Sequence, residues 1–210
     1  MVCKLCLNNE LNEISGADTR NYFLCNNCSL ISVHPNNYIS RSEEKKRYLS
    51  HVNGIDQPGY VEFLNRAIEP ASNYLNKDML GLDYGCGYAP TLSKILKQKG
   101  ILCEDYDPYF VKNDLNKKYD FIFSTEVFEH FGDPRIELEK IDELLKPGGF
   151  LIVMTERWDD LNRFSKWYYT RDPSHVVFYN ENTFEYICKK FGFNKIYSDE
   201  KRTIILKKVL

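Results

Sequence analysis

The chain has 210 residues, 28 Lys and Arg against 30 Asp and Glu, a formal charge of −2 and 43% hydrophobic residues, an ordinary globular composition. That balance argues against a surface devoted to neutralising phosphates, which needs clustered cations. No run approaches the ~18 apolar residues of a membrane span, and Met1 leads into Cys3, Lys4 and Cys6 instead of a basic region followed by an apolar signal segment, so a soluble, cytoplasmic protein is expected. The length suits one domain of roughly 150 residues with something small attached.

The attachment comes first. Cys3 and Cys6, then Cys25 and Cys28, form two C-x2-C pairs with 18 residues between them, the spacing of a tetrahedral zinc site. Each pair can sit on a tight turn while the intervening stretch forms a hairpin. Four thiolates leave no open coordination position, so the implied zinc is structural, and a segment too short to bury a core would take folding energy from it. Coincidence, or two redox pairs, is the competing explanation. Cys86, Cys103 and Cys188 are isolated and read as small buried hydrophobes.

Residues 36–78 read as a helical linker or cover. Arg41 to Arg47 is a mixed charge run, the usual mark of a solvated helix face. Tyr60, Phe63, Leu64, Ala67, Ile68, Ala71 and Leu75 recur at three- and four-residue spacing, which predicts an amphipathic helix that Pro70 would kink or bound. His51, Asn53 and Tyr60 fall in the region before and at the start of this helix.

From residue 79 the chain alternates apolar strands with helical segments. Strands are expected over 79–83, 101–107, 119–125 and 150–155, helices over 92–96, 136–145, 161–169 and 183–191, and a closing strand pair at 195–197 and 203–206. This pattern predicts an α/β fold with an open, Rossmann-like, mostly parallel sheet and helices on both faces, ligands binding at the carboxyl ends of the strands. Two glycines, Gly85 and Gly87, follow the first of these strands and allow a sharp turn with close backbone approach. Pro90 stands where a nicotinamide fingerprint would have its third glycine, and Asp83 would repel a pyrophosphate but suits a cationic amino-acid ligand. Asp107, ending the second strand, can accept hydrogen bonds from a ribose diol or simply cap the turn before Pro108.

The segment from Leu82 to Gly87, Asp107, the run from Tyr119 to His130, and Leu144 to Gly149 together resemble the class I S-adenosylmethionine-dependent methyltransferases, most closely the small-molecule, ubiquinone-methylase-like branch. The resemblance covers about residues 79–210, with the four blocks in family order. It implies a seven-stranded sheet with a reversed hairpin at one edge. It also implies Asp83, Tyr84, Gly85, Cys86 and Gly87 around the methionine moiety and Asp107 on the ribose, with Pro108, Thr125 and Glu126 completing the cofactor side. The region of His51, Asn53 and Tyr60 is implied as a lid over the cofactor. Only twelve residues separate Asp107 from Asp120, so the third strand and its helix must be very short. Asn113 and Asp114 are the candidate adenine contacts.

A methyl sulfonium needs mainly alignment of the acceptor and exclusion of water, with a base only where the acceptor must lose a proton. Glu129 and His130, after the fourth strand, and His175 are the catalytic candidates; a capping or surface role for His130 competes evenly. Glu156, Arg157, Trp158, Phe164, Trp167, Tyr168, Tyr169, Arg171 and Asp172 form a second candidate region, either an acceptor pocket or an aromatic core stripe. The favoured reading is methyl transfer to a small molecule. An RNA methyltransferase gripping nucleic acid with the ribbon competes with it, but residues 1–35 hold only Lys4 and Arg20 as cations against Glu10, Glu13 and Asp18. The third reading is a catalytically silent, zinc-bearing interaction module.

Overall fold

A computed structural model describes residues 1–50 and 53–209. In chain order the elements are β1 (Leu11–Ile14), β2 (Tyr22–Cys25), β3 (Ile31–Val33), α1 (Arg41–Leu49), α2 (Pro58–Ala71), β4 (Leu80–Tyr84), α3 (Leu92–Gln98), β5 (Leu102–Tyr106), β6 (Tyr119–Thr125), α4 (Pro134–Leu144), β7 (Leu145–Met154), α5 (Leu161–Phe164), β8 (Val177–Phe178), α6 (Glu181–Phe191), β9 (Phe193–Ser198) and β10 (Thr203–Lys208). The main sheet runs β5-β4-β6-β7-β10-β9. β5, β4, β6 and β7 are mutually parallel, and β10 and β9 close the edge antiparallel.

Side-chain alternation along β6 explains the layering. Phe121 and Phe123 meet Leu64 and Ile68 of α2 and Ile95 and Leu96 of α3, whereas Ile122 joins Leu138 and Ile141 of α4 and Phe184 and Ile187 of α6 on the other face. A strand covered on both faces reads as a continuous apolar run where it is covered, as β6 does from Phe121 to Phe123. Helix ends follow local chemistry. Asn180 and Thr183 form a reciprocal capping box at the start of α6, and Gly192 ends it in the left-handed conformation, φ 70°. Pro70 lies in the last turn of α2 and bounds it. No described helix is long and apolar enough to cross a membrane.

Three expectations change. Among the described residues the main sheet has six strands, not seven: a parallel crossover itself takes a dozen residues or more, so the chain between β5 and β6 is consumed in passing over β4. It makes only an Asp107–Val111 bridge on the way. The helix expected over 161–169 stops at Phe164 and resumes as a single 3-10 turn, Tyr168–Arg171. The charge run 41–47 is helical, but it is not merely a solvated face, because Glu44 and Arg47 turn onto the body.

The ribbon is bound into the body. β3 pairs antiparallel with β8, Ile31 opposite Phe178, which makes a second sheet β1-β2-β3-β8 from both ends of the chain. Cys3, Leu5, Cys25, Cys28 and Leu30 are buried in the same cluster as Phe128, Tyr179 and Phe184. A segment too small for a core of its own has joined its neighbour's.

Candidate functional site

The carboxyl ends of β4, β5 and β6 open into a cavity of about 1110 Å³. Its floor begins at the turn after β4. Gly85 (φ 92°) and Gly87 (φ 70°) both occupy the left-handed region, where a side chain is strained. A Cβ on Gly85 would lie 2.4 Å from the Val127 side chain, whereas one on Gly87 would meet no atom within 4 Å. The first glycine therefore permits close packing and the second leaves backbone open to a ligand. The Gly85 and Cys86 amides donate to the Tyr106 carbonyl at 2.8 and 3.1 Å, tying the turn to β5.

Asp107 is both turn cap and cavity wall. One carboxylate oxygen accepts from the amides of Tyr109 and Phe110 at 2.8 and 3.1 Å, and the other from Gly87 at 3.1 Å. Carboxylate oxygens offer about four acceptor sites, so capacity remains for about one further donor, such as one hydroxyl of a ribose. Asp83 is buried, and its Oδ1 has no hydrogen-bond partner among the described residues. Burial, then the charges of Asp105 and Asp107, pushes its carboxyl well above the usual range. Asp105 lies directly across from it in β5, and its own Oδ1 is likewise buried without a partner. Asp83 itself is not among the residues that line the cavity; its unpaired acceptor lies one residue before Tyr84, which does.

Tyr84, Cys86, Pro108, Thr125 and Glu126 also line the cavity. Asn113 and Asp114 lie outside its walls. The Asn113 amide donates to Glu104 and to the Asp105 carbonyl at 3.2 and 3.3 Å, and Asp114 is exposed. Asn53 and Tyr60 stand on the cavity as a cover would require; His51 lies outside the described residues.

At the other end, Glu129, His130 and His175 converge, with one ligand-capable atom of each within 4.8 Å of the others. This donor set could hold a cation or move a proton. The His130 and His175 rings meet edge to face at 4.9 Å. Nδ1 of His130 lies 3.0 Å from the Ser174 carbonyl, and Nδ1 of His175 lies 2.8 Å from the Tyr169 carbonyl. A carbonyl only accepts, so each neutral ring carries its proton on Nδ1 and keeps Nε2 basic. Burial lowers both imidazoles, His175 to about 3 with His130 as the second cause. Glu129 is wholly buried and accepts from Tyr169 at 2.5 Å and Thr155 at 2.7 Å. Glu126, held at φ 54°, accepts from Arg202 at 2.8 Å; burial and Glu129 raise its carboxyl.

The second candidate region divides. Tyr168, Tyr169, Arg171, Asp172 and His175 line the cavity, and Arg157 points away to Ser198. Phe164, Trp158 and Trp167 pack with Tyr22, Ile31 and Phe178, so for them the core explanation holds. Glu156 is bound to Arg202.

Several functional contacts escaped the sequence reading. Arg47 of α1 reaches Asp172 at 2.7 Å and Glu44 bonds Tyr109, so the charged helix covers the cavity. Arg20 of the ribbon donates to the carbonyls of Thr170, Asp172, Pro173 and His175, the loop carrying the acceptor-side residues. Mixed charge along a helix, or a lone arginine in a turn, carries no sign of the long-range partner.

The four ribbon sulfurs lie within 4.8 Å of one another, with Cys3–Cys28 at 3.5 Å and Cys6–Cys25 at 3.4 Å. A tetrahedron with ~2.3 Å bonds has edges of ~3.8 Å. The two turns are alike: Leu7 (φ 61°) and Ser29 (φ 57°) are left-handed and return their amides to the carbonyls of Cys3 and Cys25, both at 3.0 Å.

A family model described as a methyltransferase domain matches residues 55–198. A comparison with curated protein sequences gives no match. Among solved structures, the chain is similar to magnesium protoporphyrin IX methyltransferase from Synechocystis PCC 6803 with bound S-adenosylhomocysteine, at TM-score 0.54 and 18% identity over 80% of this chain and 95% of that one. It is also similar to human N-acetylserotonin methyltransferase in complex with S-adenosylmethionine, at TM-score 0.56 and 17% identity over 81% of this chain and 57% of that one. At such identities the likeness concerns the fold.

Asp83→Asn tests the strain of the buried carboxyl. A raised folded-state value means that the wild type loses stability as pH climbs above the unfolded carboxylate value and on through the folded one. The ligand-free variant should melt higher, by about 2–4 °C per kcal/mol of relieved desolvation, with a gap that widens as pH rises from the unfolded carboxylate value toward the folded one. Equal melting at every pH would show that the carboxylate is not strained.

Proposed function

The chain belongs to the methyltransferase-domain family, and on that premise we propose that its S-adenosylmethionine-dependent methyl transfer is directed to a small molecule held beside His130. The observation that carries this reading is that the glycine turn and the His130–His175 pair line one cavity of about 1110 Å³, slightly larger than the usual ~300–1,000 Å³ of single small-ligand sites and so roomy enough for a cofactor and a small acceptor together. Asp83 and the backbone of the Gly85 to Gly87 turn would hold the amino-acid part of the cofactor, and Asp107 the ribose. The bound cofactor supplies an electrophilic methyl group on a sulfonium.

The chain's own groups do the rest. His130, neutral at pH 7 because burial lowers it, takes the acceptor's proton on Nε2 as the acceptor atom attacks. The Ser174 carbonyl holds the ring in the required tautomer. Tyr169 and Thr155 fix Glu129 beside it. Arg47 on Asp172 and Glu44 on Tyr109 hold α1 over the cavity and limit water there. Burial works against the Asp172 carboxylate, yet hydrogen bonds from Arg47 and Ser174 keep it well below the usual range, so this clasp persists across neutral pH.

The RNA reading loses support from the ribbon's own cations. Arg20 faces inward onto four carbonyls, and Lys4 lies 3.9 Å from Asp133. Phosphate contact needs free, clustered cations. The ribbon's proposed role is structural: zinc on Cys3, Cys6, Cys25 and Cys28 would hold the sheet against which β8 and the 170–175 loop are built.

His130→Gln should lower kcat by about 10²–10⁴ in an assay of labelled methyl transfer to a cell metabolite extract, with S-adenosylhomocysteine affinity nearly unchanged. Because burial depresses the imidazole, the wild-type rate should rise with pH below 6.5 and be level above it. A variant with full activity would remove the base. Label incorporated into RNA at physiological salt would instead favour the competing acceptor. Elemental analysis of reduced protein should give about one zinc per chain by the four-ligand rule, and chelation should lower the melting point of the whole molecule. Metal-free protein with unaltered melting would overturn the zinc assignment.

A further inference from the structure

The crossover after β5 leaves the cofactor's nucleobase without the strand that the resemblance supplies for it. β5 is the outer strand of the sheet among the described residues. The amide of Asn113 is engaged by Glu104 and Asp105, and Asp114 stands outside the cavity. A base attached to a ribose at Asp107 must find its partners elsewhere on the wall.

The wall beside Asp107 has what a base needs. Tyr84 and Tyr106 face each other in register across β4 and β5, with ring centroids 5.1 Å apart, and both line the cavity. Each immediately precedes a ligand-side element, Tyr84 the glycine turn and Tyr106 the carboxylate of Asp107. The Tyr84 hydroxyl donates to Glu137 of α4 at 2.5 Å, and Lys140, one turn on, donates to the other carboxylate oxygen at 2.6 Å. Glu137 is thus fixed at both oxygens yet retains acceptor capacity, since a carboxylate has about four acceptor sites. Its side chain is 25% exposed and that of Lys140 51%, and both line the cavity.

Adenine shows an exocyclic amino donor beside a ring-nitrogen acceptor. Glu137 and Lys140 offer the complementary pair, an acceptor beside a donor, next to two aromatic rings. We infer that the adenine of the cofactor is bound here, against Tyr84, Tyr106 and Pro108, with Glu137 accepting from its 6-amino group and Lys140 facing a ring nitrogen. This assignment rests on the methyltransferase reading and gives it a base-recognition site built from α4 in place of the missing strand. Hypoxanthine, with an oxo group in place of the amine, would turn an acceptor toward the Glu137 carboxylate and be rejected.

Calorimetry with S-adenosylhomocysteine and its inosine counterpart tests the assignment on full-length protein without any acceptor. The wild type should bind the adenine form at least tenfold more tightly. Glu137→Ala should lose about tenfold in affinity for the adenine form and bind the two forms alike. Tyr84→Phe, which keeps the ring, should retain the preference with a loss below about threefold. A Glu137→Ala protein with wild-type melting and an undiminished preference would overturn the assignment. So would loss of the preference in Asn113→Ala, which would return the base to the segment after β5. If the wild type binds neither compound, the cofactor reading itself fails and this subsite with it.

Discussion

The site is organised around a carboxylate that folding has taken out of water and not fully repaired. Asp83 sits at the end of a central strand with one oxygen unpaired, opposite Asp105 and near Asp107. Burying a charge without a partner is costly, and burial raises the Asp83 carboxyl well above its usual range. Perturbed carboxyls of this kind cluster at functional sites, which is the ground for the proposed ligand contact. The flanking residues follow from it. The strand ends one residue after the acid, at Tyr84, the turn must clear Val127, and the backbone beyond must stay open, which is what the two left-handed glycines accomplish.

The second organising element is the ribbon, which lends the cavity no lining residue but braces the loop that does line it. Its β3 edge recruits β8, the Val33 amide donates to the Val176 carbonyl at 2.8 Å, and the Val176 amide donates to the Glu129 carbonyl, also at 2.8 Å. A backbone path therefore runs from the cysteine hairpin to the candidate base region. Arg20 adds a second path by satisfying carbonyls in a loop that has no regular structure of its own. Buried carbonyls need partners, and one guanidinium meets several at once because its donors are spread in a planar fork. The extra length at the amino terminus thus shapes the acceptor end, while α1 and α2 cover it.

Much of this was legible in the sequence. The apolar run of β6, the periodicity of α2 and the glycines after β4 each encode a local property, and the main sheet follows from their alternation. The cysteine spacing likewise announced the paired turns. What could not be read was long-range pairing. Nothing in Val176 and Val177 distinguishes a strand of the body from one that completes a ribbon. Nothing in Arg20 or Arg47 marks its partner more than 120 positions away. The aromatic cluster near Trp167 illustrates the same limit: Tyr169 reaches Glu129, whereas Phe164 meets Tyr22 of the ribbon. The short link between Asp107 and Asp120 foretold a truncated third strand, and the crossover geometry removed it.

The central proposal is that the raised Asp83 carboxyl would meet the ammonium group of the cofactor's amino acid. Its direct measurement is the proton balance of S-adenosylhomocysteine binding, from titration calorimetry at pH 6 in two buffers of different ionisation enthalpy. There the free α-amino group, near 7.7–8.0, is already charged and exchanges few protons of its own. An ammonium beside Asp83 draws its carboxyl down, so the account requires saturable one-to-one binding with net proton release that disappears in Asp83→Asn. Binding with no proton exchange, or with equal release in the variant, would contradict it.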